Sequence, residues 1–408
     1  MMEKIMLQNY FKQSVSALEK KLNQKVTGRR RFVYEMIKYG SRIFNNDRIL
    51  GLTNAFVPYE IFDSMNISGM FIEYLGALIS LLDNSEMFIK EAENMGYSTD
   101  NCSYHRAGIG LIMKGLITEP EILVGSSIPC DGSVKTLKRI GEFYNKDVFI
   151  INVPIDASES SLDYLVKQYE NLIDYIEDKT GNKLDEHKLK KSIEYNNQAR
   201  EYMLETYELC KNVPSPSNSR DFNNFIIFMT TRGTKEGVEI AKIYRDELHE
   251  RINNGISGMA DEKHRLLWFQ NRIQFKNNVV NHLEEQYGAK IVFDELNQIW
   301  WEPMNEDDPL RSYAKQWINC PAGGTAERRI KHLTQLVKDY KIDGVINSGH
   351  LGCRQSLGES VIIKNALQKM GIPVVELNID CVDKRNYSPG QLHTRIEAFM
   401  EMLENAKN

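Results

Sequence analysis

Six cysteines offer the most chemistry: Cys102, Cys130, Cys210, Cys320, Cys353 and Cys381. No two lie closer than 28 residues, so the chain has no CxxC pair and no zinc ribbon. A cytosolic chain keeps its thiols reduced, which argues against three disulfides. By default all six are separate buried thiols. Three of them stand apart through their neighbours in sequence. Cys130 closes the turn Ile128-Pro129-Cys130-Asp131, Cys353 closes GHLGC (349–353), and Cys102 sits in NCSYHRAG (101–108) ahead of an expected helix. Three thiolates converging on one crevice would leave one metal corner open for substrate, and spacing alone leaves zinc and iron–sulfur equally open.

The elements that must position these thiols follow a repeated grammar. EILVGSS (121–127) reads as a strand, then a turn with Cys130, the helix GSVKTLKRIGEFY and the strand DVFIINVPID (147–156). DGVINS (343–348) starts the same series, followed by the Cys353 turn, RQSLGESVIIKNALQKM as helix and IPVVELNID (372–380) as strand. Strand–helix–strand order at this spacing implies parallel βαβ units. Cys130 and Cys353 thereby fall at one structural point, just past a strand's C-terminal end at the start of a helix. Ligands bind there in open α/β sheets, and a helix N-terminus stabilises a thiolate.

The expected fold class is therefore α/β with a duplicated parallel-sheet architecture. Residues 1–48 form an N-terminal helical region, with a first strand at 48–53 and a helix opening behind Pro58. The first α/β domain spans 49–212 and holds Cys102 and Cys130, with charged helices over 158–212. A helical connector covers 213–262, with Pro214–Ser219 as a hinge or capping turn and helix continuing from 221, broken near Arg232-Gly233. The second α/β domain covers 263–408, begins with HRLLWFQ (264–270) and holds Cys353.

Composition narrows the function classes. The 408 residues carry 51 Lys+Arg against 56 Asp+Glu, a balance unlike that of a dedicated nucleic-acid binder. Hydrophobic residues at 42% exclude a disordered or collagen-like chain. No apolar run approaches the ~20 residues of a membrane span, and MMEKIMLQNYFKQ lacks signal-peptide grammar, so a cytoplasmic location is expected.

Several segments together resemble the α-type subunits of 2-hydroxyacyl-CoA dehydratases, the oxygen-sensitive clostridial enzymes of amino-acid fermentation related to benzoyl-CoA reductases. They are GLTNAFVPYEIF (51–62), NCSYHRAGIGLI (101–112), SSIPCDGSVK (126–135), PSPSNSRDF (214–222), TTRGTKE (230–236), DGVINSGHLGCRQ (343–355) and GQLHTRIEAFMEML (390–403). The resemblance implies two flavodoxin-like domains, a related β subunit in a heterodimer, and one [4Fe-4S] cluster held by Cys102, Cys130 and Cys353. It further implies dehydration of an (R)-2-hydroxyacyl-CoA to a 2-enoyl-CoA. The chemical difficulty is the β-proton, which is scarcely acidic. One electron added to the thioester gives a ketyl radical anion that expels the α-hydroxyl and acidifies that proton, after which the electron is recycled. The electron would come from an ATP-hydrolysing iron–sulfur activator, since this chain has no GxxxxGK[ST] loop.

The same resemblance points to Glu73 as acid/base, with Glu60 as a carboxylate that buttresses the fold. His350 is the other catalytic candidate, favoured slightly over His105 among the histidines flanking the ligand loops. Ala55 stands where relatives carry a hydroxyl, for which Thr53 or Asn54 would have to compensate. Cys210, Cys320 and Cys381 are expected to be structural, although Cys320 lies near a region that holds a double-cubane cluster in a neighbouring branch. Arg106, Arg354 and Arg29–Arg31 could face cluster or CoA charge, and Trp268, Phe269, Trp300 and Trp301 read as core or subunit interface. Two other readings stay open: a reductase subunit of benzoyl-CoA or double-cubane type, and a non-catalytic electron-relay subunit.

Overall fold

In a computed structural model, which describes residues 2–44, 48–221 and 230–407, eight short strands pair into two all-parallel sheets. The first contains β1 (Ile49–Thr53), β2 (Ile67–Phe71), β3 (Ile122–Ser126) and β4 (Val148–Ile151), in the order β2-β1-β3-β4. The second contains β5 (His264–Phe269), β6 (Ala289–Asp294), β7 (Gly344–Asn347) and β8 (Val374–Glu376), in the order β6-β5-β7-β8. Both follow the flavodoxin-like order 2-1-3-4, so the switch points lie between β1 and β3 and between β5 and β7. β1, β3, β5 and β7 are almost wholly buried, which their apolar runs require of strands covered on both faces.

Five strands match the sequence patterns and β5 falls on HRLLWFQ, but β4 stops at Ile151, ahead of Pro154, and β8 is trimmed to three residues. β2 and β6 did not stand out in sequence. Ser68 and Gly69 dilute the apolar run of β2. In β6 the run is interrupted by Lys290, which is buried because its ammonium donates to Ser215 O and pairs with Glu262 at 3.2 Å.

Helices occupy 2–24 and 28–41, the latter capped by Thr27, whose hydroxyl accepts from Arg30 N–H. Helices 159–180 and 186–210 begin on Ser158 and Asp185, which cap them in the same way. Of the helix expected from 221 onward, residues 222–229 lie outside the described residues. Gly233 adopts φ +66° and Thr234 caps a new helix, Lys235–Asn253. The turn at 214–219 docks on β6, where Ser219 Oγ accepts from Ile291 N–H.

Helix 103–113 is pressed onto its neighbours at glycines. A Cβ on Gly76 would lie 2.3 Å from Tyr104 O, and one on Gly110 would lie 1.9 Å from Phe88 O. Only a bare backbone permits such an approach. Ser80 and Ser85 hydroxyls donate to Val382 O, tying this layer to the second half.

Candidate functional site

Among the described residues three α-helices begin on a cysteine. Cys102 is the N-cap of helix 103–113, Cys130 of helix 131–144, and Cys353 of helix 354–358. Ser356 N–H donates to Cys353 Sγ at 3.3 Å, so sulfur takes the place of the usual capping oxygen. Cys130 and Cys353 follow the central strands β3 and β7. Cys102 is carried in by the glycine-packed helix, and the Cys353 loop presses onto its loop. Gly352 has φ +77°, and a Cβ there would meet Asp100 O at 2.8 Å.

All three cysteines line one cavity of about 170 Å³. Among the described residues no three His, Cys, Asp or Glu side chains close on a single point as a mononuclear metal requires. The three thiols are set along the wall of the cavity. Burial pushes all three thiols up, Cys353 to about 11, against the lowering effect of the helix-start N–H groups. Without a positive centre they stay protonated at neutral pH.

Glu73, in the first turn of the helix after β2, also lines the cavity. Its Oε1 lies 3.2 Å from His105 Nε2, while Oε2 is buried with no hydrogen-bond partner. His105, one turn beyond Cys102, shares the wall. His350 is placed differently: it is fully buried and is not among the lining residues. Its Nδ1 accepts from Cys381 N–H at 3.0 Å, so the ring proton sits on Nε2, 3.5 Å from Cys102 Sγ. Burial lowers its pKa to about 4, opposed by Asp380. A neutral imidazole donating to sulfur is thus the role its surroundings allow.

A second carboxylate pair on the wall was not expected from the sequence. Asp294 ends β6, and Arg272 Nε and Nη2 donate to its two oxygens at 2.8 and 3.1 Å. The signal was available: a charged residue closing the apolar strand Ile291-Val292-Phe293, and an arginine just past the end of β5.

The remaining candidates are committed elsewhere. Thr53 Oγ1 is bonded to the Tyr59 hydroxyl, and Asn54 joins Ser126 and Ser133, so neither supplies the hydroxyl missing at Ala55. Glu60 is buried against Arg232 and Asn196 and buttresses the connector. Cys210, Cys320 and Cys381 are buried and do not line the cavity. Arg106 lies in a buried network with Glu93, Asp380 and Asp383. Arg354 pairs with Asp131 at the surface, and Arg31 pairs with Glu35 and Glu239. Trp268, Phe269 and Trp301 are core residues.

A family model described as 2-hydroxyglutaryl-CoA dehydratase, D-component, matches residues 54–403, which include every residue of this cavity. The chain belongs to that family. This dehydratase-family chain is 25% identical over 362 residues to the (R)-phenyllactyl-CoA dehydratase alpha subunit of Clostridium sporogenes, covering 85% of this chain and 87% of that one. It is 24% identical to a benzoyl-CoA reductase subunit of Thauera aromatica, over 78% of this chain and 80% of the relative. It also matches the (R)-phenyllactyl-CoA dehydratase beta subunit of C. sporogenes, at 24% over 70% of this chain and 76% of the relative, so alpha and beta subunits both resemble it. Among the described residues no helix of this family member is long and apolar enough to cross a membrane.

Proposed function

We propose that the chain is the alpha-type, catalytic subunit of a 2-hydroxyacyl-CoA dehydratase, a hydro-lyase that converts an (R)-2-hydroxyacyl-CoA to the 2-enoyl-CoA. It works with a related β subunit and an ATP-hydrolysing iron–sulfur activator. The observation that carries this reading is the convergence of three helix-capping cysteines from separate loops on one cavity that also holds the Glu73–His105 pair. Cys102, Cys130 and Cys353 would hold a [4Fe-4S] cluster, which when bound would supply Lewis acidity and a single electron that is returned at the end of each turnover.

The chain's own groups do the rest. The Glu73 carboxylate, which lines the cavity and keeps Oε2 unpartnered, takes the proton from the substrate β-carbon. His105 Nε2 orients that carboxylate and relays a proton to the departing hydroxyl, so the products are enoyl-CoA and water. The His350 Nε2–H bond steadies the Cys102 sulfur.

The test is an anaerobic assay of the reconstituted pair with activator on a panel of 2-hydroxyacyl-CoAs, with iron analysis beside it. About four iron per chain and enoyl-CoA formation support the reading. Iron loading without dehydration, but with reduction of an aromatic acyl-CoA, would move the protein to the reductase branch that the Thauera relative represents. Cys353→Ala should abolish the visible absorbance of the cluster, and an unchanged spectrum excludes that ligand.

A further inference from the structure

On the dehydratase reading, the charge balance of the cavity bears on which acyl group it accepts. Phe56, Phe71, Tyr74, Tyr104 and Leu296 supply its apolar surface, with room left at the alanines, and Gln270, Asn271, Gln274 and Gln355 add neutral amides. Among the described residues that line it, Arg272 is the single Lys or Arg. It is not available as a free cation. Asp294 grips it side-on through two hydrogen bonds, its guanidinium stacks 4.5 Å from the Trp268 ring, and both side chains are more than nine-tenths buried. The pair sums to zero charge, and Glu73 adds a further carboxylate to the same wall.

A dicarboxylic acyl group would bring its terminal carboxylate into this space with no cation left to receive it and with like charge facing it. Desolvating an unpaired carboxylate is strongly unfavourable, whereas an aliphatic or aromatic side chain gains from contact with the rings. Arg272 Nη1 is likewise buried, without a hydrogen-bond partner in the protein. We infer that this site selects 2-hydroxyacyl-CoAs with uncharged, apolar acyl side chains, and that the Arg272–Asp294 pair, by cancelling its own charge, is the specificity determinant that excludes dicarboxylic ones.

The experiment compares kcat/KM of the reconstituted, activator-driven complex for (R)-2-hydroxyisocaproyl-CoA, (R)-phenyllactyl-CoA and (R)-2-hydroxyglutaryl-CoA, with calorimetric binding of each in the absence of activator. At least one apolar substrate should exceed the glutaryl compound by roughly 100-fold in kcat/KM and bind more tightly. Asp294→Asn should release the Arg272 charge and narrow that ratio by about tenfold or more, through improved binding of the dicarboxylic substrate. A wild-type complex that prefers 2-hydroxyglutaryl-CoA overturns the inference and leaves the dehydratase reading intact. A folded Asp294→Asn complex with an unaltered ratio removes the pair from the explanation. A cluster-loaded complex that dehydrates none of the three overturns the underlying reading, and this inference with it.

Discussion

The two halves of the molecule put a carboxylate at the same place and give it opposite partners. In the first half Glu73 follows the outer strand β2, and in the second Asp294 ends the outer strand β6. Glu73 meets a histidine through one oxygen and keeps the other unpartnered, whereas Asp294 is held through both oxygens by an arginine. Arginine does not titrate in proteins, so a carboxylate gripped by it is a fixed counter-charge. An imidazole can both give and take a proton, so a carboxylate leaning on it can exchange protons. One sheet order, used twice, thus yields a wall with a carboxylate–histidine pair and a wall with a carboxylate–arginine pair. The partner decides which is which.

Breaking the first pair should have the largest effect. Glu73→Gln removes the proton acceptor while keeping the shape, and kcat should fall by about 10²- to 10⁴-fold. Iron content and the cluster spectrum should stay at wild-type levels, since Glu73 is not one of the proposed ligands. A variant that retains activity would return Glu73 to a merely structural role. His105→Arg sharpens the same comparison by making the first pair resemble the second. With Glu73 locked against a permanent cation, kcat should drop by roughly 10²-fold, whereas His105→Gln, which can still donate a hydrogen bond, should cost less. Equal rates for the two variants would mean that the kind of partner does not matter.

How far this contrast was legible in the sequence differs between the halves. The Cys130 and Cys353 turns were visible because apolar strands and polar helices alternate around them, and the motif around Phe71-Ile72-Glu73-Tyr74 marked the first carboxylate by its resemblance. β6 was hidden because Lys290 breaks its apolar run, and with β6 unrecognised Asp294 had no strand end to mark. Arg272 was missed for a related reason: the pairing that gives it meaning spans 22 residues and crosses from one strand end to another. His350 stood out as a catalytic candidate because it adjoins a ligand loop. Only the backbone donor from Cys381, 31 residues away, fixes its tautomer and turns it toward sulfur. Local patterns reveal elements, but partners that set protonation arrive through tertiary contacts.

Locked and loose pairs also distinguish the contacts that hold the halves together. Gly352 brings the Cys353 loop onto the Cys102 loop, and Gly352→Ala would place a Cβ against Asp100 O in a left-handed backbone conformation. The expected cost is about 1–3 kcal/mol, read as a lower unfolding midpoint together with reduced iron loading. Loss of stability with full loading would separate the fold of the loop from the geometry of the thiols.

A smaller effect concerns acid. Glu93 and Asp383 are bridged by Arg385, and hydrogen bonds from that arginine hold both carboxyls below their usual range, in Asp383 against the raising effect of burial. A carboxylate depressed in the folded state stabilises it at neutral pH, and that contribution is lost as pH falls through the folded value. The junction should therefore hold above about pH 4 and loosen below it. Near-ultraviolet circular dichroism followed through acid should show a transition that Arg385→Gln moves to higher pH. A transition at the same pH in both proteins would place the acid-sensitive step elsewhere.

The smallest effect belongs to the most conspicuous bridge. Arg354 and Asp131 immediately follow two of the three proposed ligands and span the halves at 2.9 Å, yet their side chains are 71% and 53% exposed. An exposed ion pair gains little Coulomb energy in water and spends side-chain entropy to form, so Arg354→Ala should change stability by less than about 1 kcal/mol. The cluster spectrum should also be unchanged, because Cys353 is positioned by its own helix start and by the Gly352 contact. A pronounced loss of iron in Arg354→Ala at moderate salt would show instead that the surface pair closes the cavity mouth. The division into buried determinants and loose surface contacts would then have to be redrawn around the loops that carry the thiols.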